Sequence, residues 1–461
     1  MVFSSITFLF YFLPIVLAIY YIVPKKMRNM VLLISSFFFY FYGEPKYVIL
    51  MAISIIITYI FGILIDKFKD KGKIFLILNI ITSIGLLVYF KYTNFLIENI
   101  NLWLHHKIDS IHVILPIGIS FYTFQTLSYS IDVYRGNAKV QKNIFRLAMY
   151  VSLFPQLIAG PIVRYTTIEN QLEEREYTLE KFALGIRKFL IGLGKKVLIA
   201  NLLGDLVNTF LASNDKSILF YWIYAFANAL QIYFDFSGYS DMAIGLGKMF
   251  GFDFLENFNY PYISKSITEF WRRWHMSLGT WFRDYIYIPL GGNRVNKVKW
   301  FRNIFIVWFL TGLWHGAAWN FIIWGLYFGI LLVIEKLFLG KFLEKIPSFL
   351  SRLYMMFFIL ISFIIFSGEN LENIIENIKG LLGIGNVPRV SIESLYYFRS
   401  YAVILFVALI GSTPIMKNIV SKEKIRKVIN ILEPLFLVLI LIISTSYIVD
   451  GSFNPFLYFR F

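Results

Sequence analysis

Apolar residues in this chain run in blocks of about 17–25, the length at which a helix crosses the hydrocarbon core of a bilayer. Hydrophobic residues make up 58% of the 461 and charged ones 16%, against about 25% charged in an ordinary soluble domain. A soluble globular enzyme could not bury so much apolar surface, and a disordered chain would not carry it. The segments lack the short alternating pattern of a transmembrane barrel. The composition and block lengths predict an all-α polytopic membrane protein.

Blocks 3–23, 30–43, 46–65, 74–90 and 113–134 alternate with short polar stretches. The first has no basic leader and no small-residue cleavage site, so it is read as a retained span. Basic clusters follow alternate spans: Lys25, Lys26 and Arg28; Lys67, Lys69, Lys71 and Lys73; Arg135, Lys139, Lys142 and Arg146. By the positive-inside rule these loops face the cytoplasm and the N-terminus lies outside. Loop 417–427 is strongly basic and cytoplasmic by the same rule. The last span, about 428–449, then returns outward. Segment 368–394, with Glu369, Glu372, Glu376 and Glu393, belongs outside. The chain is read as one membrane domain over 1–449 with an aromatic extracytoplasmic tail over 450–461.

The net charge of +16 would suggest nucleic acid in a soluble protein. Here the bases sit between spans, where they set topology, so no nucleic-acid partner is expected. The chain has no cysteine, which excludes disulfides, thiolate metal sites and a cysteine acyl-enzyme.

Two stretches do not read as simple spans. Residues 257–302 mix Arg272, Arg273, Arg283 and Asp284 with many aromatics. Charge at the bilayer centre is costly. Phe270, Trp274, Leu278 and Trp281 share one helical face, so an interfacial or re-entrant helix is expected. Residues 303–339 have basic sequence at both ends, yet 37 residues are too few for two spans of about 20 plus a turn. A hairpin or broken helix is predicted, turning near Gly312–Asn320, where Gly312 and Gly316 loosen the helix. That turn would hold His315 at depth, at a break in regular backbone.

Among the five histidines, His105, His106 and His112 fall in a polar loop. His275 and His315 lie in membrane-embedded sequence. An imidazole titrates near neutrality and can take and return a hydroxyl proton. No HxxxH spacing is present and no metal is expected. Asp235 and Asp241 interrupt an apolar block, where a carboxylate is either functional or paired with arginines or capping a helix. GLGKMFG at Gly245–Gly251 superficially resembles a phosphate loop. It lacks Ser or Thr after Lys248, so close helix packing explains it better. No GxSxG elbow is present.

Four stretches carry a resemblance: FPQLIAGPIVRY (Phe154–Tyr165), the YFDFSGYSDMAIG run, NYPYISKSITEFWRRWHMSLGTWFRDYIYIPLGGNR (Asn259–Arg294) and LTGLWHGAAWNFIIWG (Leu310–Gly325). Together they resemble the membrane-bound O-acyltransferase (MBOAT) family, and in detail its bacterial polysaccharide branch. Gly279 stands where that branch is expected to carry Ser.

The resemblance implies a ring of about 11–13 membrane helices, with re-entrant helices around a tunnel. It implies transfer of an acyl group from a cytoplasmic thioester to an extracytoplasmic glycan. His315 matches the family's invariant histidine and His275 its second polar position. The expected mechanism has acetyl-CoA as donor substrate, no resident cofactor, and its phosphates near Arg272, Arg273 or Arg283. Trp274, Trp314 and Asn320 complete the expected donor-binding set. His315 is the expected base, and His275 or another donor steadies the oxyanion. The tail places Tyr458 three residues from the end. It is either an interfacial anchor or an acetyl relay inserted at the outer tunnel mouth. Beyond acetyl-CoA, the polysaccharide acceptor and membrane lipid, an SGNH-hydrolase-like extracytoplasmic partner is expected. A D-alanyl transferase fed by a carrier protein and a transporter are the alternatives.

Overall fold

The computed structural model describes residues 1–461 except 105, 106, 110, 112, 452–455 and 458–461. His105, His106, His112 and Tyr458 therefore lie outside the described residues. The chain is 77% helical, and among the described residues there is no strand. Among the described residues six helices are long and apolar enough to cross a membrane: Val48–Lys67, Lys69–Asn101, Trp319–Lys345, Ser348–Ser367, Ile392–Gly411 and Glu423–Asp450. Backbone polar groups satisfied within each helix are what the bilayer demands. The chain is an all-α, multi-pass membrane protein.

It divides into two compact units, Met1–Phe189 with Ser240–Leu255, and Leu190–Tyr239 with Glu256–Phe461. In the first, helices Val48–Lys67, Gly72–Asn101 and Ile119–Arg135 pack on one another. Asp241 pairs with Lys188 at 3.5 Å, and Asp253 accepts from both Lys181 (2.6 Å) and Lys248 (3.0 Å). Lys248 of the GLGKMFG run is thus a structural cation. Glycine at 185 and at 245 allows close packing, since a Cβ at Gly245 would stand 2.6 Å from the Gly185 carbonyl oxygen.

In the second unit, residues 303–339 form the expected hairpin. Helix Lys297–His315 ends at His315, and helix Trp319–Ile334 begins four residues later. The glycines act sterically rather than by loosening the helix. A Cβ on Gly312 would lie 2.4 Å from the Phe321 carbonyl oxygen, and one on Gly325 would lie 2.3 Å from that of Trp308. The two helix backbones touch there, which only glycine permits. Gly312→Ala is expected to cost about 1–3 kcal/mol, because the helices must part. Thermal unfolding in detergent reads this, with Gly85→Ala as control, since a Cβ there meets nothing within 4 Å.

Residues 257–302 depart from one continuous helix. Phe270, Trp274, Leu278 and Trp281 are all buried, as their shared face requires. The helix itself is broken into Ile267–Arg273 and Met276–Phe282, with His275 between them.

Candidate active site

The break at His275 is made by a residue eighteen positions earlier. Asn257 is buried. Its carbonyl oxygen accepts Met276 N–H at 3.0 Å, and its side-chain Oδ1 accepts Ser277 N–H at 3.2 Å and Ser277 Oγ–H at 2.9 Å. These are first-turn donors that a helix leaves without an internal partner. With Asn257 capping them, the chain starts a new helix at Met276. His275 takes the left-handed conformation, φ 43° and ψ 53°. For a residue with a Cβ this costs on the order of 1–3 kcal/mol, and such strain concentrates at functional sites.

The same asparagine sets the imidazole's tautomer. His275 Nδ1 lies 3.2 Å from Asn257 Oδ1. A backbone N–H can only donate, so the Asn257 atom facing Ser277 N–H is the oxygen. Nδ1 must then carry the proton, and Nε2 is left with a lone pair. His275 is 1% exposed, and Nε2 has no hydrogen-bond partner among the described residues. This bears on the oxyanion role expected for His275: in this tautomer the ring offers an acceptor where an oxyanion needs a donor.

His275 lines a cavity of 640 Å³ together with Trp271, Arg272, Met276, Gly279 and Arg283. An adjoining pocket of 230 Å³ shares Arg283 and Gly279 and adds Lys336. A cleft of this combined size suits a cofactor-sized ligand. Arg283 is bound through two nitrogens to Asp284, the nearer contact at 2.6 Å, whereas Arg272 forms no ion pair among the described residues. Trp271 Nε1 is buried and also lacks a hydrogen-bond partner among the described residues.

His315 is 3% exposed and sits behind this wall. Trp314 bridges the two histidines, its ring centroid 5.9 Å from that of His275 and 5.1 Å from that of His315. The His315 ring also meets Trp324 edge-on at 4.9 Å and Phe366 at 5.3 Å. The imidazole is held by indole and phenyl faces at the end of a helix, where regular backbone stops.

Three residues expected to bind the donor are engaged elsewhere. Arg273 pairs with Glu269 at 3.0 Å and donates to the Asn259 carbonyl at 3.1 Å. Trp274 is buried and stacks on Phe270 at 5.4 Å. Asn320 donates to the Phe366 carbonyl at 3.0 Å and ties the hairpin to the next helix. None of the three lines the cavity.

Sequence reasoning passed over Asn257, Trp271, Lys336 and Glu335. Glu335 is buried. It accepts Ile267 N–H at 2.6 Å, Thr268 N–H at 2.9 Å and Thr268 Oγ–H at 2.6 Å. A carboxylate from the hairpin thus anchors the start of the short helix that carries Trp271 and Arg272. Its signal was present, since a carboxylate inside an apolar run is a functional candidate by default.

A buried histidine, two arginines and a lysine thus line adjoining cavities in a helical membrane protein. Residues 138–375 match the membrane-bound O-acyltransferase family, MBOAT. The chain is 44% identical over 379 residues to a probable alginate O-acetylase AlgI of Azotobacter vinelandii, covering 81% of this chain and 76% of that one. It is 38% identical to a probable alginate O-acetylase AlgI of Pseudomonas putida over the full length of both. A peptidoglycan O-acetyltransferase of Helicobacter pylori is 36% identical over 375 residues, 74% of this chain and 71% of that one. The chain belongs to the membrane-bound O-acyltransferase family. It is an acyltransferase.

Proposed function

We propose that the protein moves an acetyl group from cytoplasmic acetyl-CoA toward hydroxyls of an extracytoplasmic polysaccharide. In this reading it sits in the inner membrane with both termini outside. The observation that carries it is the cavity whose wall joins His275 to Arg272 and Arg283, with Lys336 in the adjoining pocket. Guanidinium groups match phosphate oxygens in a fixed fork, and CoA presents several phosphates. Its pantetheine arm presents amide N–H groups, and His275 Nε2 is an acceptor poised for one. The relatives support an acetyl group and a glycan acceptor by their names.

In the proposed mechanism His315 accepts the proton of the acceptor hydroxyl as its oxygen attacks the thioester carbonyl. The new C–O bond forms, the C–S bond breaks, and the departing thiolate takes the proton back from His315. The developing oxyanion needs a fixed N–H, and the Trp271 indole, lining the cavity, meets that need better than His275. In the tail, Tyr458 would receive the acetyl group first as a tyrosyl ester. An SGNH-hydrolase-like partner would then carry it to the glycan.

The test is donor choice. Purified full-length protein in detergent is offered radiolabelled acetyl-CoA or the same acetyl group on a phosphopantetheine carrier protein. Release of CoA is expected, and use of the carrier alone would overturn the reading. Arg272→Ala is expected to raise KM for acetyl-CoA about tenfold with kcat retained, the signature of lost uniform binding.

A further inference from the structure

The last helix, Glu423–Asp450, packs along residues 195–200, where a Cβ on Gly194 would stand 3.2 Å from Ile440. It thereby delivers the terminal segment to one buried ion pair. Lys196 and Asp235 are each 2% exposed, with Lys196 Nζ 2.5 Å from Asp235 Oδ1. Gly238 brings their helices together, since a Cβ there would lie 2.8 Å from the Gly192 carbonyl oxygen. Lys196 itself stands in a π-helical turn, Lys195–Ala200, a distortion frequent at functional sites.

The second carboxylate oxygen of the pair is not turned to its own helix or to a second cation. Asp235 Oδ2 accepts Leu457 N–H at 2.9 Å. The Lys196 ammonium lies 4.7 Å over the centroid of the Phe456 ring. That ring is 1% exposed and meets Tyr239 edge-on at 4.5 Å. One buried ion pair therefore holds two consecutive residues of the terminal segment, one through main chain and one through an aromatic face. A cation over an aromatic ring is strongest when desolvated, as here.

We propose that Lys196 and Asp235 form a socket that seats the C-terminal segment by Phe456 and Leu457. Both are positioning residues. The socket reads a backbone N–H and one ring, so it fixes register rather than side-chain chemistry beyond position 456. Two facts argue that it is a socket and not an ion pair alone. A buried pair is seldom retained for stability, because apolar residues of similar volume serve as well or better. And the carboxylate's second oxygen is spent on Leu457, seven residues beyond the end of the last helix. Tyr458 follows Leu457 directly in sequence. Any consequence for acyl transfer rests on the relay reading above.

The absence of cysteine makes the test free of background. Leu457→Cys places one thiol at the seat and keeps its backbone N–H. The labelling rate of this thiol by a maleimide is measured in full-length protein in detergent. The same is done with Lys196→Met and Asp235→Leu introduced together, which removes both charges at once and leaves neither unpaired. A rise of at least tenfold is expected. Phe456→Ala combined with Leu457→Cys leaves the ion pair intact, removes only the ring, and should also raise the rate. Unchanged labelling in both backgrounds overturns the socket, whatever the effect on acetyl transfer. Faster labelling with acetyl transfer undiminished keeps the socket and removes the relay through Tyr458.

Discussion

His315→Ala is expected to lower acetyl transfer by about 10²–10⁴-fold, the range for losing a positioned general base. KM for acetyl-CoA should stay within about twofold, because an interaction made only in the transition state affects kcat alone. The structure gives the reason for this split. The cavity wall carries His275, Arg272 and Arg283, whereas His315 stands behind it against Trp324 and Phe366. Removing the ring also leaves a void between those aromatics, so thermal unfolding must be followed beside activity. His315→Gln fills more of the void and still cannot take the proton. If it folds normally and transfers at the wild-type rate, His315 is not the base.

Glu335→Leu should produce the largest loss of stability of any single change in the second unit, roughly 3–5 kcal/mol. The buried Ile267 N–H, the half-buried Thr268 N–H and the Thr268 and Tyr354 hydroxyls would lose their acceptor together, at about 1–3 kcal/mol for each fully buried group. The affected helix is only seven residues long, Ile267–Arg273, too short to persist on its own hydrogen bonds. Trp271 and Arg272 would lose their placement with it. Glu335→Gln keeps one acceptor oxygen and should fall between. Thermal unfolding and donor KM, measured on both variants, check this. Equal behaviour of Leu and Gln variants would mean the carboxylate is not the anchor.

Much of the architecture was legible because hydropathy and block length act locally. The hairpin at 303–339 followed from arithmetic alone: too long for one span, too short for two, with bases at both ends. Its tightness did not follow, since it depends on Gly312 meeting Phe321 and Gly325 meeting Trp308 across the turn. Phe270, Trp274, Leu278 and Trp281 were read as sharing one helical face, and all four are buried, while the helix break within that face was invisible. Nothing in WRRWHMS breaks a helix by propensity. The break comes from Asn257, distant in sequence, which supplies the missing caps.

The candidate site divides along the same line. His275 and His315 stood out because rare titratable side chains at membrane depth are costly and need a reason. The roles of the arginines could not be sorted from sequence. Arg272 and Arg273 are neighbours on one short helix, yet one lines the cavity and the other is tied to Glu269. Asp235 and Asp241 were read as functional or paired. Both are paired, Asp235 with Lys196 and Asp241 with Lys188. Lys196 and Lys188 are far from them in sequence, so only packing could name these partners.

The proposed acetyl donor lies in the cavity beside His275. A photoreactive acetyl-CoA analogue, irradiated with the purified full-length protein and mapped by peptide mass spectrometry, tests that placement directly. Labelling is expected within residues 268–283 and 307–311, the two stretches that with Leu332 line the cavity, and excess acetyl-CoA should suppress it. Competable labelling confined to the first unit, with none on these stretches, would contradict the account.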